Sequence, residues 1–297
     1  MVQIETARMK YNLKVADLFF KVDSIYDSHT SEMFADYIID DDACPTDAYR
    51  VECVLTQDEL SEPTGKRLTK REECNWYTDG VGKYTLSFYD SSNECICALM
   101  NYDNSAGEAR IVLRDVKTLY GVDTEYFLYN IMERLFRLVL IFNGGFAVHA
   151  SSIVHEGYGL AFSAESGTGK STHTGLWLKN YPGTYILNDD GPAMRLINGE
   201  WYIYGTPWAG TTGINTNACV PLKSLVFLER NKVNKIRECS ALESIPRLFE
   251  AIIHPTSDEI INLLFATVSS FLTMTKVCVL GCNISDEAPK VVKKYLY

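Results

Sequence analysis

Up to about residue 116 the apolar positions recur with a period of two, which predicts short strands. The segments are Tyr11 to Val22, Tyr49 to Thr56, Lys83 to Tyr89, Cys95 to Tyr102 and Ala109 to Leu113. Polar clusters divide them: Asp40-Asp41-Asp42, Glu62-Pro63-Thr64-Gly65-Lys66, Asp90-Ser91-Ser92-Asn93 and Asp103-Asn104-Ser105. Antiparallel β structure is the expectation for this region. The segment 57–79, rich in Lys, Arg and Glu, is expected to be a solvated loop or a substrate-facing arm.

The period then lengthens. Phe127, Ile131, Leu135, Leu138 and Phe142 stand at helical spacing. Asp123-Thr124-Glu125 opens this predicted helix with Thr124 as the cap, and Asn143-Gly144-Gly145 stops it. Strand character returns at Phe146 to Val154, which is expected to turn at His155-Glu156-Gly157 into a second strand through Leu160, Ala161 and Phe162. A helix over Thr174 to Lys179 follows, then a short strand, Tyr185-Ile186-Leu187, running into Asn188-Asp189-Asp190-Gly191. Beyond these come a strand carrying Arg195, a strand over Leu225 to Leu228, helix over 241–275 broken near His254-Pro255, and a last strand over Lys276 to Leu280. Two domains are expected, a β-rich one over 1–120 and a second over 121–297, with the boundary near residue 120.

The loop between Phe162 and the following helix carries the most chemistry. It reads Ser163-Ala164-Glu165-Ser166-Gly167-Thr168-Gly169-Lys170-Ser171-Thr172. Glycines let successive backbone N–H groups turn into one concavity, a helix N-terminus adds positive potential, a lysine supplies charge and a hydroxyl can reach Mg²⁺. The pattern is a phosphate-binding P-loop with Ala164 in place of the first glycine, so its opening turn must tolerate a Cβ. Residues 165–172 are the expected nucleotide contacts: Glu165, Ser166, Gly167, Thr168, Gly169, Lys170, Ser171 and Thr172. Asp189 and Asp190, at the end of a later strand, offer hard oxygen ligands for Mg²⁺ or Mn²⁺, and one of them can act as a general base.

These residues resemble the nucleotide-binding domain shared by HPr kinase/phosphorylase and phosphoenolpyruvate carboxykinase. Ser166 to Thr172 is similar to the carboxykinase loop nearly letter for letter, and a strand pair precedes it. His149, in Val-His-Ala-Ser-Ser, lies close to where those carboxykinases carry a metal-ligating histidine, and Asp189-Asp190 resembles the aspartate pair of both groups. The resemblance covers about residues 140 to 230. It implies an α/β P-loop domain with a mixed sheet behind a β-rich N-terminal domain, ATP and Mg²⁺ or Mn²⁺ as cofactors, and a metal set drawn from Ser171, Asp189, Asp190 and His149. Lys170, Asp189, Asp190 and His149 become the catalytic candidates. The implied activity is a kinase acting on a seryl hydroxyl of a protein or peptide.

Three other readings stand beside it: a kinase of a small hydroxylated molecule such as a free hydroxy amino acid, a diverged carboxykinase, and a noncatalytic ATP-binding module. A carboxykinase needs further lysines and arginines around its substrate, and the resemblance assigns none of the chain's own to that role. The retained lysine, serine and both aspartates favour chemistry over sensing. Gly205 to Asn215 stands where the kinases carry their downstream signature; it is read either as an acceptor loop covered by Trp208 or as a structural turn. Arg195 is read either as a γ-phosphate contact or as half of a surface ion pair, and His155 and His173 as turn and helix-start residues.

Composition bounds the rest. The chain has 297 residues, 46% of them hydrophobic, and a formal net charge of −10, which disfavours nucleic acid and anionic membrane as partners. No apolar run is long enough to cross a bilayer, and Met1 to Glu5 is too polar for a signal core, so a soluble cytoplasmic protein is expected. The nine cysteines are expected to be reduced thiols, Cys95 and Cys97 included.

Overall fold

The computed structural model describes residues 8–24, 29–70, 74–90, 95–116, 123–252 and 257–297. The turn expected at Ser91-Ser92-Asn93, the helix break at His254-Pro255 and the domain boundary near residue 120 lie outside them. The chain forms two compact units, Met1–Phe142 with His254–Ile261, and Asn143–Ile253 with Asn262–Tyr297. Each is built on a large mixed sheet, so the molecule is α/β.

The first unit contains β1 (Met9–Val15), β2 (Leu18–Ser24), α1 (His29–Phe34), β3 (Ile38–Ile39), β4 (Tyr49–Thr56), β5 (Lys66–Lys70), β6 (Cys74–Gly80), β7 (Lys83–Tyr89), β8 (Ile96–Asp103), β9 (Glu108–Arg114) and α2 (Thr124–Phe142). Its sheet runs β3-β1-β2-β4-β9-β8-β7-β6-β5. Three expectations are corrected. Tyr11 to Val22 is not one strand but a hairpin, because Ala16 and Asp17 both take positive φ (49° and 56°) and turn the chain; without a glycine or asparagine there, the letters give no warning. The sheet is not purely antiparallel, since β2 with β4 and β4 with β9 run parallel; alternation reports which face a side chain takes and is silent on strand direction. The charged segment 57–79 is not simply a loop: it contains β5 and β6, and β5 is the edge strand, where Lys and Arg are tolerated because one side stays solvated.

Helix α2 belongs to this unit. Phe136, Phe127 and Phe142 pack on Phe20, Phe88 and Tyr84 of the sheet, and the first compact unit runs through Phe142. Its cap is Asp123, which accepts from the backbone N–H of Glu125 and Tyr126 (2.9 and 3.1 Å), and not Thr124. The opposite sheet face forms a trough of about 970 Å³. Its charges are largely matched across neighbouring strands, as in Arg50 with Glu108, Arg110 with Glu52 and Lys83 with Asp103.

The second unit contains β10 (Gly145–Ala147), β11 (Ala150–His155), β12 (Tyr158–Ser163), α3 (Lys170–Asn180), β13 (Tyr185–Asn188), β14 (Ala193–Ile197), β15 (Glu200–Tyr204), β16 (Cys219–Arg230), β17 (Lys235–Glu238), α4 (Ala241–Ala251), α5 (Asp258–Met274) from Asn262 onward, β18 (Lys276–Cys282) and α6 (Glu287–Leu296). Helix α6 and strand β17 have no counterpart in the expectations. Val292 of α6 and Trp177 of α3 join Phe162, Leu160, Val226 and Leu280 in the sheet's core.

Direction within this sheet positions the site. β12, β16 and β18 are mutually parallel, while β11 is antiparallel to both β12 and β13. The carboxyl ends of β12, β13, β16 and β18 therefore emerge along one edge, where open α/β sheets place their ligands. Since β11 runs the other way, the residue preceding it, His149, arrives at the same edge.

Candidate functional site

The glycine-containing loop over residues 164–169 leaves the end of β12 and enters α3. Gly167 and Gly169 hold φ of +73° and +112°, values that L side chains rarely adopt. Ala164 is not among the residues of positive φ, so the opening turn accepts its Cβ, as the departure from the P-loop pattern requires. No side chain caps α3, whose first backbone bond runs from His173 N to Gly169 O. The helix thus presents its N-terminal N–H groups at the loop, a fit for an anion. Glu165, Ser166, Gly167, Ser171 and Thr172 are exposed along it, with Thr168 and Gly169 half-buried.

Lys170 is buried, and its Nζ sits 2.8 Å from His149 Nε2 and 3.2 Å from the carbonyl of Ala164. Burial pushes the lysine pKa down, with Asp190 and Asp189 opposing that shift. An ammonium has no lone pair to accept with, so it donates and Nε2 of His149 accepts. The ring hydrogen then sits on Nδ1, 2.9 Å from Asp190 Oδ1. His149 can hold this place because its backbone leaves the strand ladder: its N–H bonds to Ala251 O of α4, and Val148 N to Pro192 O. The strand expected over Phe146 to Val154 is accordingly interrupted at Val148 and His149.

The two aspartates differ. Asp189 is buried and accepts from Ser151 Oγ at 2.5 Å; Ser151 also lies 3.0 Å from Thr174 Oγ1 on α3. Thr174 in turn reaches the backbone carbonyl of Ser171 at 3.1 Å. Asp189 is therefore tied to the first turn of α3, and Asp190, half-exposed, is tied to His149.

Among the described residues no group of three or more His, Cys, Asp and Glu is placed to grip a metal. The donors present are the Ser171 hydroxyl on the first turn of α3 and the carboxylates of Asp189 and Asp190. Mg²⁺ accepts such a set when phosphates and water supply its other ligands. His149 is less suited, because both ring nitrogens are engaged and one contact would have to be given up.

Other candidates take structural places. His173 is buried, accepts from Trp177 Nε1 at 3.2 Å, and has its pKa pushed down to about 4 by burial. His155 sits between Thr184 Oγ1 and Lys293 Nζ (both 2.9 Å). Arg195 lies on β14 opposite Gly145 and Tyr202 and lines neither cavity beside the loop. The cysteines are free thiols.

Sequence reasoning missed Arg230, which ends β16 and donates from Nη2 to the Gly167 carbonyl at 2.6 Å. The parallel register of β12 with β16 brings it there, and no motif marks it. Arg230 stands between two cavities. One, of about 720 Å³, runs from Gly167 and Thr172 past Leu176 and Leu228 to Cys282 and Ile284. The other, of about 640 Å³, lies on the His149 side with Glu165, Phe227, Arg247 and Glu250.

No protein-family model matches the chain, and no curated protein matches it. Among solved structures it is similar to the Hpr(Ser) kinase/phosphatase from Coxiella burnetii, with 11% identity over 50% of this chain and 95% of that one and a TM-score of 0.29.

Proposed function

We propose that this chain is an ATP-dependent phosphotransferase that moves the γ-phosphoryl group of ATP to a hydroxyl, on this reading a seryl hydroxyl of a protein or peptide. The observation that carries the reading is the meeting, on His149, of the P-loop lysine and an aspartate from a separate strand. That meeting supports a phosphate holder working beside a proton acceptor.

Lys170 exchanges its His149 and Ala164 contacts for phosphate oxygens, and the loop amides and α3 N-terminus carry the remaining phosphate charge. The cavity lined by Leu176, Leu228 and Ile284 would take the nucleoside end, since it opens from the loop and offers apolar walls. Ser171 and Asp189 would hold Mg²⁺, which screens the charge on the β- and γ-phosphates when bound. Asp190 accepts the proton of the attacking hydroxyl, with His149 fixing its orientation. The hydroxyl oxygen forms a bond to the γ-phosphorus, the bond from that phosphorus to the bridging oxygen breaks, and ADP leaves.

The test is incubation with γ-labelled ATP, Mg²⁺ and source-cell extract. Label in a macromolecule supports a protein or peptide acceptor, and label in a metabolite a small one. No label above a Lys170→Ala control, from protein shown to bind ATP, returns the chain to the noncatalytic reading. Formation of phosphoenolpyruvate from oxaloacetate would mark a carboxykinase.

A further inference from the structure

Asn188 ends β13 and is completely buried. Its Oδ1 accepts from the backbone N–H of Asp190 and Gly191 (2.9 and 2.6 Å), the ordinary business of an asparagine opening a turn. The amide nitrogen does something a turn does not require. Nδ2 points to Thr206 O (2.8 Å), Thr206 Oγ1 and Trp208 O (both 3.2 Å), in a segment distant along the chain. Thr206, also buried, closes the circuit by donating Oγ1–H to Gly191 O at 2.9 Å.

Backbone contacts extend the seam. Asp189 N donates to Ile214 O (3.1 Å) and Thr216 N to Leu187 O (2.9 Å). Gly210, at φ +61°, lies so close that a Cβ there would meet Asp190 Cβ at 3.0 Å. From Trp201 to Leu222 there is no charged residue, and positions 210–214 are exposed beside Asp190.

We propose that Asn188 is a positioning residue for phosphoryl transfer, locking the uncharged segment 206–216 and the Asp189-Asp190 turn into one block. The wall facing the acceptor hydroxyl and the group that takes its proton then keep a fixed separation. The proposal rests on the phosphotransferase reading above. Aspartate cannot replace Asn188 in this role: it has no hydrogen to donate and would set a carboxylate against the carbonyls of Thr206 and Trp208.

Four proteins test it: the parent, Asn188→Asp, Thr206→Val and Thr206→Ser. Thr206→Val swaps a hydroxyl for a methyl at similar size and remains informative if Asn188→Asp does not fold. For each, γ-label leaving Mg-ATP, to water or to the fraction labelled in source-cell extract, is measured above the Lys170→Ala background, with deuterium uptake over 205–217 and the unfolding midpoint. The expected result is a fall in kcat of at least about tenfold in Asn188→Asp and Thr206→Val, with KM for ATP within about twofold of the parent. Uptake over 205–217 rises in both, and Thr206→Ser restores rate and protection. Raised uptake with unchanged kcat would make Asn188 a structural residue only. Unchanged uptake in both variants would remove the coupling. A parent that binds ATP but releases no label above background would overturn the phosphotransferase reading, and this proposal with it.

Discussion

Lys170 and His149 are 21 positions apart and joined at 2.8 Å, Nζ to Nε2, with Asp190 on the far nitrogen of the ring. A buried lysine held this way is neither free nor lost. It rests on the His149 ring at the start of α3, and on the proposed reading its burial favours the arrival of an anion that can meet its charge.

Replacing Lys170 with alanine should therefore weaken Mg-ATP binding by well over threefold, since a charge-assisted phosphate contact contributes more than about 1 kcal/mol. Calorimetric titration checks this. Affinity within about threefold of the parent would remove the P-loop assignment.

The aspartates should separate. Asp190→Asn is expected to abolish transfer with ATP affinity nearly unchanged, because Asp190 faces His149 and the exposed loop. Asp189→Asn should weaken both, through its link to Ser151 and the first turn of α3. Mn²⁺ titration with ATP, followed by electron paramagnetic resonance, should show loss in Asp189→Asn and little change in His149→Ala. A large loss in His149→Ala would restore the histidine to the metal set.

A Cβ added to Gly167 would have nothing within 4 Å, but φ there is +73°, so alanine meets backbone strain and no clash. The left-handed conformation costs a non-glycine residue about 1–2 kcal/mol. If the loop of the free variant relaxes to negative φ and is driven back on binding, ATP affinity in Gly167→Ala should fall by about tenfold while the unfolding midpoint stays close to the parent's. An unchanged affinity would mean that the loop does not need this conformation to hold phosphate.

Stability should fall with acid through His173. Its pKa lies below the ordinary histidine value, at about 4, because the buried ring excludes the charged form. The unfolded chain takes up a proton near pH 6.5 and the folded chain does not until about pH 4. Stability is thus complete above pH 6.5 and declines between those limits by up to about 1.4 kcal/mol per pH unit. Urea midpoints at pH 7 and pH 5 for the parent and His173→Gln test this; an equal fall in both proteins would assign the acid sensitivity elsewhere.

The glycine-containing loop between β12 and α3, the aspartate pair at a strand's end and the helix from Thr124 to Phe142 were legible in the letters. Each is a local property: glycines that permit positive φ, a strand ending in carboxylates, apolar residues at a period near 3.6. The opening turn at Ala164 was also readable, as a backbone that must accept a Cβ.

What sits beside the loop was not. Strand direction brings Arg230 to Gly167, the antiparallel course of β11 delivers His149 to Lys170, and the amide of Asn188 joins two segments that share no pattern. The turn at Ala16-Asp17 and the parallel pairs of the first sheet escaped for a related reason. Side-chain alternation has the same period whichever way a strand runs, so pairing and direction are decided only when distant strands bury their faces together.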